Sequence, residues 1–216
     1  MLYKNLHHPE KIELIKQGRL LPLMEEFYSL QGEGANTGKP AYFIRIGGCD
    51  VGCYWCDVKE SWNPVIHPLT PINDIIGHIL ACKARAVVVT GGEPLMYNLD
   101  TFCRSLKNSG ITTYLETSGT YPLSGEWDWI CLSPKRKKKP LSQIYTKADE
   151  LKVIILDELD FVWAEECSKE VGEGCFRFLQ PEWSRRNVIT PKIIDYILNH
   201  PGWRISLQSH KYLGIP

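Results

Sequence analysis

Cys49, Cys53 and Cys56 form a C-x3-C-x2-C triplet directly after the apolar run Ala41-Tyr-Phe-Ile-Arg-Ile-Gly-Gly48. Thiolates are soft ligands, and iron–sulfur clusters are ordinarily held by four of them. A dedicated triplet suits a four-iron, four-sulfide cube in which one iron has no protein ligand. The vacant corner is where a reacting molecule can bind. Structural zinc is the competing reading, and it needs a fourth Cys or His at tetrahedral reach. Zinc modules tend to pair their ligands, and no second C-x2-C follows here; His67, Asp50 and Asp57 are the nearest candidates for a fourth ligand.

A second constellation is Gly91-Gly92-Glu93-Pro94. Glycines lack Cβ and let backbone approach a ligand closely, and a carbonyl or carboxylate at such a place can receive an ammonium group. Comparable polar or glycine-rich stretches close other β-rich runs: Gly47-Gly48-Cys49, Glu116-Thr117-Ser118-Gly119, Ser133-Pro134-Lys135, Gln180-Pro181-Glu182 and Gln208-Ser209-His210. Any one of them reads as an ordinary turn. In a parallel barrel all such ends lie on one rim, where loops assemble an active site.

The elements that must position these groups are legible from periodicity. Strands are predicted at Ala41–Ile46, Ala86–Thr90, Thr112–Glu116, Trp129–Ser133, Lys152–Leu156, Phe176–Gln180 and Trp203–Gln208, with Leu23–Leu30 forming a hairpin in front. Two helices are expected to open at Thr70-Pro71 and Thr190-Pro191, each with a Thr N-cap and Pro at the first helical position. Asn98–Ser109 and Glu158–Val171 are further helix candidates. Strands alternating with helices imply a parallel sheet with right-handed crossovers. A full eightfold barrel takes about 250 residues. With 216 residues, and no helical pattern between Pro134 and Pro140, an incomplete TIM-like α/β barrel with pared-down helices is expected. A flat doubly wound sheet is the structural alternative.

Composition narrows the class. Residues 1–216 suit a single domain, with 1–22 as an N-terminal extension; 44% of residues are apolar, enough for one sizeable core. Lys+Arg and Asp+Glu are 25 each, so no net field points to nucleic acid or an anionic membrane as partner. No apolar stretch is long enough to span a bilayer and Met1-Leu-Tyr-Lys-Asn lacks a signal-peptide core, so a cytoplasmic location with reduced cysteines is expected. Cys82, Cys103, Cys131, Cys167 and Cys175 are dispersed, and most read as core fillers rather than a second cluster. The cationic run Lys135-Arg-Lys-Lys-Lys139 reads as a solvated loop in which only Lys135 has a motif-based reason to enter a site.

The cysteine triplet and the GGEP motif together resemble the radical S-adenosylmethionine (SAM) enzymes, in which the methionyl amine and carboxylate of SAM chelate the open iron. The resemblance then narrows. Phe27-Tyr-Ser-Leu-Gln-Gly-Glu-Gly34, Arg45, Thr90, Leu115-Glu-Thr-Ser-Gly119, Ser133-Pro-Lys135, Leu179-Gln-Pro181 and a chain ending in Pro216 are similar to the 7-carboxy-7-deazaguanine synthase family. The similarity runs from about residue 23 to the last, although SLQGEG also occurs in related glycyl-radical activating enzymes, the nearest enzymatic alternative.

The resemblance implies a radical ring contraction of 6-carboxy-5,6,7,8-tetrahydropterin to 7-carboxy-7-deazaguanine with loss of ammonia, on the route to queuosine and other 7-deazapurines. It implies a [4Fe–4S] cluster on Cys49, Cys53 and Cys56, and SAM contacts from Trp55, Asp57, Gly92, Glu93, Ser118, Ser133, Pro134, Lys135, Gln180, Pro181, Glu182 and Trp183. Leu30, Gln31, Gly32, Arg45, Thr90 and the carboxylate of Pro216 would line the substrate. An electron donor such as flavodoxin or ferredoxin and a homodimer are implied too. The family often holds Mg2+ through a hydroxyl two positions after the third cysteine. Here that position is Val58, whose hydrocarbon cannot ligate a hard cation.

Overall fold

The computed structural model describes residues 9–216. Helix α1 (Pro9–Lys16) leads into β1 (Leu20–Leu30), β2 (Pro40–Ile46), β3 (Leu69–Pro71), α2 (Ile72–Ala81), β4 (Ala86–Gly91), α3 (Asp100–Asn108) and β5 (Thr112–Thr117). Then follow β6 (Trp129–Leu132), α4 (Ser142–Tyr145), β7 (Glu150–Ile155), α5 (Leu159–Ser168), β8 (Phe176–Pro181), α6 (Arg186–Asn199), β9 (Arg204–Ile205) and α7 (Ser209–Leu213).

One sheet runs in the order β3-β1-β2-β4-β5-β6-β7-β8-β9. Neighbours from β2 through β9 pair in parallel, while β1 is antiparallel to both β2 and β3. The sheet ends at β3 and β9 and is an incomplete barrel. The crossovers are pared where the sequence suggested: no helix connects β5 to β6, and only the four-residue α4 connects β6 to β7.

Alternation along each strand divides the core from the site. On β2 and β4 the outward residues Ile44, Ile46, Val87 and Val89 pack with Ile75, Ile79, Phe102 and Leu106 of α2 and α3. On β5, β7 and β8, Leu115, Val153, Ile155 and Leu179 pack with Ile144, Phe161, Ala164 and Ile193. The opposite parity carries Arg45, Thr90, Glu116, Lys152 and Gln180, all on the wall of the central cavity. Side chains two residues apart share a face, so an apolar outward series fixes which polar groups face inward. Cys103, Cys131, Cys167 and Cys175 are buried thiols, and Cys82 is exposed.

Three local expectations are corrected. Thr70 and Pro71 lie in β3, paired with Leu21 and Leu20, and α2 starts one residue later at Ile72 with extended Pro71 as its cap. The second helix begins at Arg186 rather than Thr190, which places Pro191 inside it. Glu182 starts the helical run earlier. Its carboxylate accepts from the Ser184 and Arg185 amides (3.1 and 3.2 Å), capping a 3-10 turn that leads into α6. The loss of one backbone donor at Pro191 is tolerated within that longer run. Finally, β9 is only two residues long, because Ser206 through Gln208 turn away toward the site. No helix among the described residues is long and apolar enough to cross a membrane.

Candidate active site

A cavity of about 260 Å³ opens at the C-terminal ends of the parallel strands. Its wall holds the three cysteines and the residues assigned above to SAM and substrate, with two exceptions, Glu93 and Pro134. Val58 is also on the wall.

The cysteine loop is fastened at its root. The Gly48 amide donates to the Ser61 carbonyl at 2.5 Å and the Cys49 amide to the Trp62 carbonyl at 3.2 Å, while the Cys56 amide closes a turn onto the Cys53 carbonyl at 2.9 Å. The three thiols are free and half-buried. Burial pushes the Cys49 and Cys53 thiols up, and the Lys135 and Lys137 ammoniums oppose that rise at Cys53. The candidate fourth ligands for zinc are each engaged by protein. His67 Nε2 meets the Glu60 carbonyl at 2.9 Å, Asp50 accepts from Lys138 and Tyr121, and Asp57 accepts from Lys211 at 2.6 Å. Three soft donors, with His67, Asp50 and Asp57 each committed to a protein partner, fit a cluster that supplies its own sulfide and keeps one corner open.

The glycines of the second motif bring backbone to backbone. Gly91 has φ of +132°, and a Cβ on Gly92 would lie 2.2 Å from the Gly48 carbonyl oxygen and 3.0 Å from Cys49 Cβ. In this close approach the Gly92 amide donates to Ile46 O and the Glu93 amide to Gly48 O, both at 2.8 Å. The end of β4 thereby braces the root of the cysteine loop. Glu93 itself is fully buried behind the wall. Its carboxylate accepts from the Leu95 amide (3.1 Å), Thr117 Oγ1 (2.5 Å), the Ser118 amide (2.8 Å) and Ser118 Oγ. The carboxylate expected to face a ligand ties β4 to β5 instead. Pro134 is buried as well.

Lys135 turns inward and donates to the Ser133 carbonyl and hydroxyl, both at 2.6 Å, with its ammonium 5.7 Å from the Trp55 ring. Burial lowers the pKa of this ammonium. Trp183 stacks its ring against the Arg186 guanidinium at 4.0 Å and lies under Lys211 Nζ at 4.8 Å. Val58 offers only hydrocarbon, and the adjacent Asp57 is held by Lys211. The side chains here do not fit the hydroxyl-based Mg2+ arrangement.

The opposite wall carries residues that motif reading passed over. Lys152 Nζ pairs with Glu33 Oε2 at 2.5 Å and lies 3.5 Å from Glu116 Oε2. Gln31 Nε2 donates to Glu116 Oε1 at 2.9 Å, and Gln208 Nε2 to Glu33 Oε1 at 2.9 Å. Burial alone would raise the Glu33 carboxyl, yet Lys152 and Gln208 hold it at about 2. Burial would likewise lower Lys152, but the surrounding Cys131, Glu116, Glu33 and Glu150 keep it well above the ordinary lysine range. His210 packs so closely that a Cβ on Gly32 would lie 2.2 Å from its Nδ1, and burial lowers its pKa. Arg45 pairs through Nε with Glu25 at 2.5 Å, and Ser29 Oγ donates to Pro216 O at 3.3 Å. The one sequence signal for Lys152 is a second charge, after Glu150, within the buried parallel strand Glu150–Ile155, where solvent cannot hold it.

Comparison with known proteins places the chain in a family. Residues 43–132 match the Radical SAM superfamily. The chain is 54% identical over 202 residues to the 7-carboxy-7-deazaguanine synthase of Flavobacterium psychrophilum, covering 94% of this chain and 96% of that one. It is 50% identical to the protein of that name from Synechocystis sp., covering 90% of this chain and 93% of the relative. The crystal structure of QueE from Escherichia coli superposes with a TM-score of 0.80 at 30% identity, covering 94% of this chain and all of that one. On motif, cavity and overall likeness together, the chain belongs to the 7-carboxy-7-deazaguanine synthase family of radical SAM enzymes.

Proposed function

We propose that this protein is a radical SAM carbon–nitrogen lyase that contracts 6-carboxy-5,6,7,8-tetrahydropterin to 7-carboxy-7-deazaguanine and releases ammonia. The single observation that carries the reading is the meeting of three free thiols, a glycine-braced strand end and a charged, hydrogen-bonded pocket on one cavity wall. When bound on Cys49, Cys53 and Cys56, a reduced [4Fe–4S] cluster with SAM supplies one-electron chemistry that removes and later returns a hydrogen atom.

The chain's own residues bind, orient and shield. Gly92, Ser118, Ser133, Lys135, Gln180, Pro181 and the rings of Trp55 and Trp183 surround SAM. Glu182 shapes that wall as the cap of the turn carrying Trp183. Arg45 lies on the cavity wall with Nε held by Glu25, which leaves its terminal nitrogens to bind the substrate carboxylate in two-pronged fashion. Gln31, fixed by Glu116, presents an amide to the guanine-like edge, and Leu30, Gly32, Thr90 and Pro216 complete the enclosure. The Glu33–Lys152 pair keeps these groups in one orientation. The protein functions as a single-domain cytoplasmic homodimer reduced by a flavodoxin or ferredoxin.

The test is anaerobic turnover. Protein reconstituted with iron and sulfide, given SAM, a reductant and the carboxy-tetrahydropterin, yields the deazapurine with SAM regenerated. An intact cluster that releases 5′-deoxyadenosine without deazapurine would overturn the assignment and favour a glycyl-radical activating enzyme.

A further inference from the structure

The run Lys135–Lys139 is exposed at Arg136, Lys137 and Lys139, as expected of a solvated loop, but its side chains are tied to their neighbours. Lys135 and Lys138 face each other across an isolated antiparallel bridge, so the run folds back as a tight hairpin. Arg136 anchors one side to the start of α5, with Nη2 3.2 Å from Asp157 and Nε 3.0 Å from Asp160. Asp160 is itself fixed by the Leu156 and Asp157 amides at 2.8 and 3.0 Å. Lys139 Nζ stands 5.4 Å from the ring of Trp163 on the same helix.

The other two cations reach the segment between the first two cysteines. Lys138 Nζ donates to both Asp50 carboxylate oxygens, at 2.8 and 2.9 Å, and lies 4.3 Å from the Tyr121 ring. The Tyr121 hydroxyl donates to the same carboxylate at 2.6 Å. Lys137 Nζ donates to the Gly52 carbonyl at 3.1 Å, and Gly52, at φ of +66°, leaves that nitrogen just enough room.

We infer that this hairpin is a clasp on the cysteine loop, with Lys138 and Lys137 as positioning residues that hold the loop around the cluster and favour its reduction. The inference rests on the cluster reading above and adds to it. Three thiolates give the cluster site net negative charge, and an added electron deepens it. A cation one residue from Cys53 therefore stabilises the reduced state more than the oxidised one. The ties also limit the opening of a loop that solvent reaches, which is the route by which iron would leave.

The test compares reconstituted wild-type protein with Lys137→Gln, Lys137→Arg, Lys138→Gln and Asp50→Asn. An EPR-monitored redox titration reads the cluster midpoint, a chelator assay reads iron loss, and melting of the metal-free proteins controls for folding. Lys137→Gln is expected to shift the midpoint to more negative potential, and Lys137→Arg to leave it near wild type. Lys138→Gln and Asp50→Asn are expected to speed iron loss roughly two- to fivefold, the scale of a partly exposed ion pair. Variants with wild-type midpoint and iron loss would refute the clasp. Lowered melting of the metal-free variants with an unmoved midpoint would refute it too, by assigning the ties to the fold. Wild-type protein that assembles no iron and sulfide would instead refute the cluster reading itself.

Discussion

Lys152 is the residue on which most of the inner wall depends. Its ammonium is nearly inaccessible and answers carboxylates far apart in the chain, Glu116 on β5 and Glu33 in the loop after β1, 119 residues away. A buried pair of this kind contributes little against an apolar substitute for both partners, but losing one partner strands the other. Lys152→Met should therefore lower stability by about 3–5 kcal/mol, read by denaturant unfolding of the metal-free protein. Replacing Glu33 and Lys152 together by Gln and Met should recover part of that loss, and no recovery would show that the two charges are not coupled. The pH dependence has a definite sign. Glu33 is held at about 2 in the folded protein, so its stabilisation is complete above the ordinary carboxylate range and fades as the pH falls toward that value. At Val58, the missing hydroxyl makes a different prediction. Turnover by the natural chain should change little between Mg2+ and a chelator, whereas Val58→Thr should make it rise with added Mg2+. A wild-type rate that collapses on chelation would mean that another oxygen holds the ion.

At the level of elements, β4 does more than carry a motif. Its terminal glycines lock to the end of β2 and the cysteine loop, and Glu93 locks β4 to β5 through four donors. Gly92→Ala places a methyl group 2.2 Å from the Gly48 carbonyl, so backbone must move. We expect a cluster that assembles in reduced yield and a loss of SAM affinity, with melting lowered by about 1–3 kcal/mol equivalent, the usual toll of overpacking. Iron and sulfide content equal to wild type, with unchanged SAM binding, would show that the close approach has slack. The same element explains where motif reading stops short. A GGEP string shows that backbone must come near something. The neighbour it meets on β2 and β5 is a matter of sheet order, which pairs β4 with both.

For the whole molecule, the cavity wall is assembled from β1 through the segment after β9, so a ligand there couples both ends of the sheet. Any ligand that binds only the folded state stabilises it by mass action, about 2.7 kcal/mol at a hundredfold excess over Kd. For a domain of this size that should raise the Tm of the reconstituted protein by about 5–10 °C on adding SAM. The calorimetric transition should remain single. A second transition that SAM leaves in place would mean that part of the wall folds independently of the ligand.

Local periodicity was enough to place every strand but the short β3, and the main helices, to within a few residues, because an apolar parallel strand and an amphipathic helix announce themselves over six to ten positions. The helix start at Arg186 was hidden, since its cap is the side chain of Glu182 acting through an intervening turn. The thiol triplet and the glycine-rich strand ends were legible as well, since they occur as short contiguous motifs. What the chain's order alone determined is thus most of the sheet's strands, the main helices, the thiol triplet and the polar strand ends that share one rim. Only the tertiary structure decided that Glu93 faces β5, that Lys152 is the charged floor of the pocket, and that Lys138 closes on Asp50 from 88 residues away. The physical reason is range: propensity and spacing act between near neighbours, whereas the partner of a buried or clasping charge is chosen by which strands and loops the sheet brings side by side.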